Sequence, residues 1–324
     1  TIFNAALRML TPGRDSTTST GLLGYPRDAI ICPMSRDFSH SLMLSALFTV
    51  ACEGDKRDTL EDTGSLATSG ELSVLTYNVH GLPGAITGDD TAGRMSQIAG
   101  RITTHNIVGL QEDFDAANHA TLVGSSTHTT RLWFDDKIED RFYGSGLSVL
   151  ADAPLIEHVH QHFTTCNGTV DSASDCLASK GFQALRVRIG SSTLDVYNTH
   201  LEAGGGAADN DARAAQVQAL VDALQGWSTG RAVIFTGDFN LRETDPEDLP
   251  LIDQLLSEAE LERACWAVGC ATPNHIDKIL FRSSDSLALS ALKWSNIEAD
   301  FRDDGGTPLS DHPAIEAIFS WSSD

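Results

Sequence analysis

Ala232-Val233-Ile234-Phe235-Thr236-Gly237-Asp238-Phe239-Asn240 is the stretch on which the reading of this chain turns. Its first half is an unbroken run of apolar, mostly β-branched or aromatic residues, as a strand buried on both faces requires. Its second half sets a carboxylate and an amide where that strand must end. The pattern recurs. Leu72-Ser73-Val74-Leu75-Thr76-Tyr77 runs into Asn78-Val79-His80-Gly81, Ile107-Val108-Gly109-Leu110 into Gln111-Glu112, and Leu194-Asp195-Val196-Tyr197-Asn198 into Thr199-His200-Leu201. Later come His275-Ile276-Asp277-Lys278 and Leu309-Ser310-Asp311-His312-Pro313. A single polar residue at a strand end is ordinarily a solvated cap. Six such endings, all offering hard oxygens or imidazole, point to convergence on one edge of the sheets.

Working outward, eight segments read as strands: 72–77, 107–111, 146–150, 184–189, 194–198, 232–236, 276–281 and 314–319. Helices fall between some of them. Met95, Ile98 and Ile102 keep helical spacing, as do Val217, Leu220, Val221 and Leu224, with Asp209 or Asp211 as the cap of the second helix. Strands joined partly by hairpin-like links and partly by helices predict an α/β domain of mixed sheets over residues 72–321.

The chain has 324 residues, 22 Lys and Arg against 45 Asp and Glu, a formal charge of −23, and 41% hydrophobic residues. That is ample for a substantial core and excludes a disordered tail or mini-protein. No stretch approaches the roughly 20 apolar residues that a spanning helix needs. The negative balance argues against holding nucleic acid by broad electrostatics. It leaves room for phosphate chemistry through cations, because carboxylates that hold a divalent ion reverse the local sign.

The start of the chain reads differently. Met34 and Arg36 precede the apolar run Leu42-Met43-Leu44-Ser45-Ala46-Leu47-Phe48-Thr49-Val50-Ala51 and then Cys52, the anatomy of a secretory signal. Its end resembles a bacterial lipoprotein signal, which implies lipidation of Cys52; Thr49 departs from the usual Leu. The expected layout is an upstream extension or disordered stretch over 1–33, a signal peptide over 34–51 and a tether over 52–71. Of six cysteines, Cys32 leaves with the leader and Cys52 goes to lipid. The remaining two close pairs, Cys166 with Cys176 and Cys265 with Cys270, are expected to oxidise in an exported protein.

Oxygen-rich strand ends suit Mg²⁺, Mn²⁺ or Ca²⁺, and no Cys/His cluster has zinc spacing. The ordered set Thr76-Tyr77-Asn78, Gln111-Glu112, Thr199-His200-Leu201, Gly237-Asp238-Phe239-Asn240 and Ser310-Asp311-His312 resembles the endonuclease/exonuclease/phosphatase superfamily with the DNase I-like fold. That resemblance implies a four-layer sandwich, two packed mixed β-sheets flanked by helices, with the site at one end. It also implies roles. Glu112 is the principal metal ligand, with Asn78 close by and Asp311 supporting the site. His312 is the general base and Asp277 holds its ring. Asp238 and Asn240 position water and phosphate, and His200 donates to a phosphate oxygen. An ordinary imidazole, near 6.5, suits a base at neutrality.

Asp175-Cys176-Leu177-Ala178-Ser179-Lys180-Gly181-Phe182 is similar to the segment before the corresponding strand in neutral sphingomyelinases. The match implies that Asp175 and Lys180 shape the substrate site, the ammonium holding a phosphate oxygen or a carboxylate. The resulting expectation is an exported, metal-dependent phosphodiesterase, active as a monomer on sphingomyelin or another phospholipid and secreted or anchored to a membrane surface through Cys52. An extracellular nuclease is the alternative, with Arg131, Arg141 and Arg186 as scattered backbone contacts. A non-catalytic surface binding module would have lost its motif residues, and none is lost. His158, His160 and His162 alternate, which on a strand gives one face and a candidate second metal site, although a solvated face is the simpler account. Gly204-Gly205-Gly206 before the helix could cradle a phosphate, or be a plain loop.

Overall fold

The computed structural model describes residues 66–168, 175–270 and 275–324. The expected upstream extension, signal peptide, lipidated Cys52 and most of the tether therefore lie outside the described residues. The strands are β1 (Ser69–Asn78), β2 (Ile107–Gln111), β3 (Thr130–Phe134), β4 (Leu147–Ala151), β5 (Leu155–His162), β6 (Gly181–Ile189), β7 (Ser192–His200), β8 (Val233–Asp238), β9 (Glu262–Arg263), β10 (Asp277–Arg282), β11 (Leu287–Asn296) and β12 (Ile315–Ser323). The helices are α1 (Gly84–Thr87), α2 (Thr91–Ile102), α3 (Ala116–Gly124), α4 (Ala207–Trp227), α5 (Leu249–Glu258) and α6 (Ala264–Ala267). One six-stranded sheet has the order β11-β12-β1-β2-β4-β3 and the other β5-β6-β7-β8-β10-β9. No helix among the described residues is long and apolar enough to cross a membrane.

Alternation along the strands sorts the side chains into three apolar layers. Leu72, Val74 and Ile107 of the first sheet meet Leu185, Val196, Ile234 and Ile279 of the second between the sheets. The opposite faces, Leu75, Tyr77 and Leu110 on one sheet and Tyr197, Val233 and Phe235 on the other, pack under helices. There Met95, Ile98 and Ile102 of α2, and Val217, Leu220, Val221 and Leu224 of α4, supply the matching stripes. Each such buried aliphatic contributes about 1.5–3 kcal/mol. The result is the expected helix–sheet–sheet–helix sandwich.

Toward one end the space between the sheets turns polar. Gln111 Nε2 donates to Thr76 Oγ1 at 3.1 Å and to Asn198 Oδ1 at 2.7 Å, and Asn198 Nδ2 donates to the carbonyls of Leu110 and Ser148. Gly109 faces this layer; a Cβ there would lie 2.0 Å from Thr236 Oγ1. Gln111 Oε1 alone in this network is buried without a partner among the described residues, and the remaining bonds fix the relative position of the two sheets immediately beneath the strand ends.

Several expectations shift in detail. β1 begins at Ser69, whose register partner is Ser322, so the last residues assigned to the tether belong to the sheet. The cap of α4 is Gly206 instead of Asp209 or Asp211, and Asp209 Oδ2 accepts from Gly206 N at 2.9 Å. That carboxylate occupies the helix N-terminus, so Gly204, Gly205 and Gly206 hold no phosphate there. Both expected disulfides are present, with Cα separations of 5.4 Å for Cys166 with Cys176 and 5.1 Å for Cys265 with Cys270.

Candidate active site

Sheet register brings the polar endings together. β1 and β2 run parallel with Asn78 opposite Gln111, and β7 and β8 run parallel with His200 opposite Asp238. β10 runs antiparallel to β8, so its first residue, Asp277, is also opposite Asp238. β12 runs antiparallel to β1 with Ile315 opposite Thr76, which carries His312, three residues earlier, to the same edge. Strand direction alone thus delivers residues up to 234 positions apart in sequence to one end of the sandwich.

Asn78 is the hub of the cluster. Its Nδ2 donates to Glu112 Oε1 at 3.0 Å and to Asp238 Oδ2 at 3.1 Å, joining one carboxylate from each sheet. Asp238 Oδ1 accepts from Asn240 N at 3.1 Å. His312 Nδ1 lies 3.1 and 3.0 Å from the two oxygens of Asp277, and its Nε2 faces Asp238 Oδ2 at 3.7 Å. Ser310 Oγ donates to Asn78 O at 2.7 Å and so ties the His312 segment to the end of β1.

Local backbone shape serves the same end. His80, Glu112 and Asn240 are three of the five non-glycine residues with positive φ among the described residues, at 50°, 58° and 49°. Each such conformation costs about 1–3 kcal/mol and persists where the surroundings hold it. Gly81 N donates to Glu112 O at 3.0 Å, and a Cβ on Gly81 would come within 2.6 Å of that oxygen. Glycine is required by this close approach.

Burial and charge set the protonation. Burial raises the Glu112 carboxyl, and the hydrogen bond from Asn78 with the nearby His80 and His312 only partly offsets it. Burial would also raise Asp238, but the adjacent His200 imidazole, the charges of His312 and Lys180 and the Asn78 amide outweigh it and hold that carboxyl low. For His312, burial is the largest influence and would lower the imidazole. The Asp277 hydrogen bond with the charges of Asp238, Asp277 and Glu112 together outweigh it and push the ring up to about 10. The expectation of an ordinary imidazole is therefore corrected for the cation-free site. Two buried carboxylates and the half-buried Glu112 hold His312 protonated.

The residues fit a divalent cation. Glu112, Asp238 and the amide of Asn78 are hard oxygen donors, and burial without full compensation makes the Glu112 carboxylate costly unless a positive charge joins it. Asp238, Asp277 and His312 also present ligand atoms within 4.8 Å of one another. Asp311 is peripheral, with its side chain 60% exposed and its Oδ1 3.3 Å from His80 Nδ1.

Lys180 and Asp175 lie behind His200. Lys180 Nζ pairs with Asp175 Oδ1 at 2.7 Å, donates to Leu201 O at 2.8 Å, and reaches His200 Nε2 at 3.1 Å. Of the two partners expected for this ammonium, a carboxylate is the one it holds. A lysine can only donate, so His200 Nε2 accepts and its proton sits on Nδ1, which is buried with no hydrogen-bond partner among the described residues. Burial and the adjacent Lys180 charge take His200 down to about 3, so the ring is neutral. The donor expected of His200 is carried on Nδ1 in this arrangement. Asn240 Nδ2 is engaged with Leu201 O at 3.1 Å.

Sequence reasoning gave no role to His80, whose Nδ1 stands 3.7 Å from Glu112 Oε2 as well as facing Asp311. Its signal was its place two residues past Asn78. Arg94 was also missed. Its guanidinium donates to the carbonyls of Val79, His80 and Leu309, clamping the two segments that carry the cluster. Beside them opens a cleft of about 340 Å³ lined by His80, Thr87, Asp89, Arg94, Ser310 and Asp311. A larger cleft of about 440 Å³, lined by Arg101, His105, Lys293 and Glu316 among others, shares no residue with the cluster.

A sandwich of two mixed sheets with this cluster at one end defines a class of phosphate-directed folds, and sequence comparison agrees. Residues 101–263 match the profile of Endonuclease/Exonuclease/phosphatase family 2, and the chain belongs to that family. It is similar to a sphingomyelinase of Mycobacterium tuberculosis, 31% identical over 284 residues that make up 79% of this chain and 54% of that protein. The chain thus spans about half the length of the curated relative it matches. Among solved structures, sphingomyelinase C from Streptomyces griseocarneus superposes with a TM-score of 0.56 at 18% identity, covering 77% of this chain and 99% of that one. A beta toxin variant from Staphylococcus aureus with bound magnesium ions gives 0.57 at 15% identity, covering 79% and 100%. These likenesses concern the fold.

Proposed function

We propose that the protein is an exported, metal-dependent phosphodiesterase that hydrolyses sphingomyelin to ceramide and phosphocholine. The observation that carries the reading is the His312 and Asp277 pair, 3.0 Å apart, with the free imidazole nitrogen turned toward Asp238 beside the Glu112 and Asn78 pair. Glu112, Asn78 and Asp238 would hold the cation, Mg²⁺ by the chemistry of the donors, with Mn²⁺ or Ca²⁺ compatible and Asp311 at the rim. When bound, it supplies positive charge to a non-bridging phosphate oxygen and offsets the carboxylates that keep His312 protonated.

The chain's own residues do the rest. His312 Nε2 takes the proton of a water that attacks phosphorus, the bond from phosphorus to the ceramide oxygen breaks, and that oxygen leaves as the alcohol by taking a proton from solvent. Asp277, on Nδ1, fixes which nitrogen is free for this and stabilises the imidazolium that forms. Asp238 and the backbone held by Asn240 orient the water. His200, braced by Lys180 and Asp175, would donate to phosphate from Nε2, the nitrogen 3.4 Å from Asp238 Oδ2, once its proton moves there from the buried Nδ1.

Three observations favour a phospholipid over nucleic acid. The net charge is −23. The arginines singled out as backbone contacts are engaged internally, Arg186 with Asp195, Glu157 and the Trp227 carbonyl, Arg141 with the Cys176 carbonyl, and Arg131 with the Ser126 carbonyl. The similarity to sphingomyelinases runs through most of the chain. Phe134 is buried and Trp133 stacks on His119, so this aromatic pair adds no weight to the lipid reading. Export is supported by the two disulfides, and anchoring at a membrane through lipidated Cys52 belongs to the same reading. A parallel assay with Mg²⁺ on sphingomyelin, glycerophospholipids, DNA and a small phosphodiester tests it. Selective release of phosphocholine from sphingomyelin is expected; faster cleavage of DNA, or none of any substrate, overturns the proposal.

A further inference from the structure

The alternating histidines of β5 have a use apart from the catalytic cluster. β5 is the outermost strand of its sheet, so its side chains face solvent along one edge. The three imidazoles are not equivalent. His162 Nδ1 donates to Ser179 O at 2.7 Å, and the ring of Phe134 lies 4.4 Å from the His160 centroid and 4.6 Å from that of His162. His158 and His160 remain exposed, their centroids 6.3 Å apart. Opposite His160 stands Asp136, 76% exposed, two residues past β3, which is the outermost strand of the other sheet.

Asp136 Oδ2 is 3.5 Å from His160 Nε2. That is longer than a charged hydrogen bond, about 2.7–2.9 Å. It is close to the spacing of two ligand atoms on one tetrahedral ion, since bonds of about 2.1 Å at a tetrahedral angle span about 3.4 Å. The neighbouring His158 ring needs a modest change of rotamer, because imidazoles sharing an ion have centroids about 5 Å apart. His158 is exposed, which leaves room for that change.

We propose that His158, His160 and Asp136 form a second metal site, selective for a divalent transition ion of the zinc, nickel and copper group. Two imidazoles and one carboxylate are the borderline donors those ions prefer, whereas Mg²⁺ and Ca²⁺ take all-oxygen shells. Such a site joins the turn after β3 in one sheet to β5 in the other. It therefore staples the outer edges of the sandwich, and bound ion stabilises the fold without touching the reacting atoms.

The test uses the full chain in Mg²⁺-containing buffer, titrated with ZnCl₂ by calorimetry and followed by thermal melting. The wild type is expected to bind one more equivalent of Zn²⁺ than His158→Ala or His160→Ala, or to bind it at least tenfold more tightly, and to gain several degrees in Tm that both variants lose. Asp136→Asn should weaken binding less, and His162→Ala should leave it within twofold. Because His160→Ala also loses stacking on Phe134, His158→Ala decides the matter should that variant fold poorly. Equal stoichiometry and affinity in His158→Ala and wild type, or an equal loss in His162→Ala, overturns the proposal.

Discussion

Glu202→Gln isolates the electrostatics behind the active site. Glu202 is buried two residues past His200, accepts from Asn167 N at 2.6 Å and faces Gln216 Nε2 at 3.4 Å. Burial, and then the charge of Asp175, push its carboxyl from an ordinary 4.5 up to about 7, against smaller opposing effects of Lys180 and the two hydrogen bonds. The folded protein therefore binds this proton more tightly than the unfolded chain. Its favourable contribution is complete below about pH 4.5 and is lost as pH rises through about 7. A gap of about 2.5 pH units corresponds to at most about 3 kcal/mol, and solvent screening reduces this to about 2–3 kcal/mol. Glutamine keeps an oxygen for Asn167 N and removes the charge. Urea unfolding of both proteins from pH 5 to pH 8 should give stabilities that nearly coincide at pH 5 and diverge by about 2–3 kcal/mol at pH 8, with the glutamine variant the more stable. Other titrating groups cancel in the difference. Parallel profiles, or a wild type more stable at pH 8, would refute the reasoning.

Other consequences follow from neighbouring contacts. Lys180→Met leaves Asp175 buried without its cation and should cost about 3–5 kcal/mol, much of it restored in the double variant with Asp175→Asn; equal losses in single and double variants on urea unfolding count against a coupled pair. Gly81→Ala forces a methyl against the Glu112 carbonyl and should raise the Mg²⁺ concentration needed for half-maximal turnover at least tenfold, whereas an unchanged requirement separates Gly81 from the cation site. Replacing Cys166 and Cys176 by serine opens a crosslink of sequence separation 10, and should lower stability by about 2–3 kcal/mol without loss of turnover at 25 °C.

The eight strands read from sequence are the eight interior strands of the two sheets. The four that escaped, β3, β5, β9 and β11, are the four sheet edges. The reason is physical. An interior strand is covered on both faces and reads as a continuous apolar run, as 232–236 does, whereas β5 is exposed or half-buried at every position. The site was legible because its residues terminate interior strands. What the sequence did not show is how those residues face one another: the Lys180 ammonium bonded to Asp175 and His200, the role of Arg94 on the backbone carbonyls of His80 and Leu309, and the carboxylates that hold His312 protonated. Those depend on pairings across sheets that periodicity does not encode.

Under the proposed function, a cation-dependent site with His312 as base hydrolyses a phosphodiester. This is tested most directly by phosphocholine release from sphingomyelin vesicles, measured for the wild type with Mg²⁺, with a chelator in place of Mg²⁺, and for His312→Ala and Glu112→Ala with Mg²⁺. Release by the wild type with Mg²⁺, and a fall of at least about a thousandfold in each of the other three with circular dichroism unchanged, is the predicted result. Near wild-type release in chelator, or by either variant, contradicts the account.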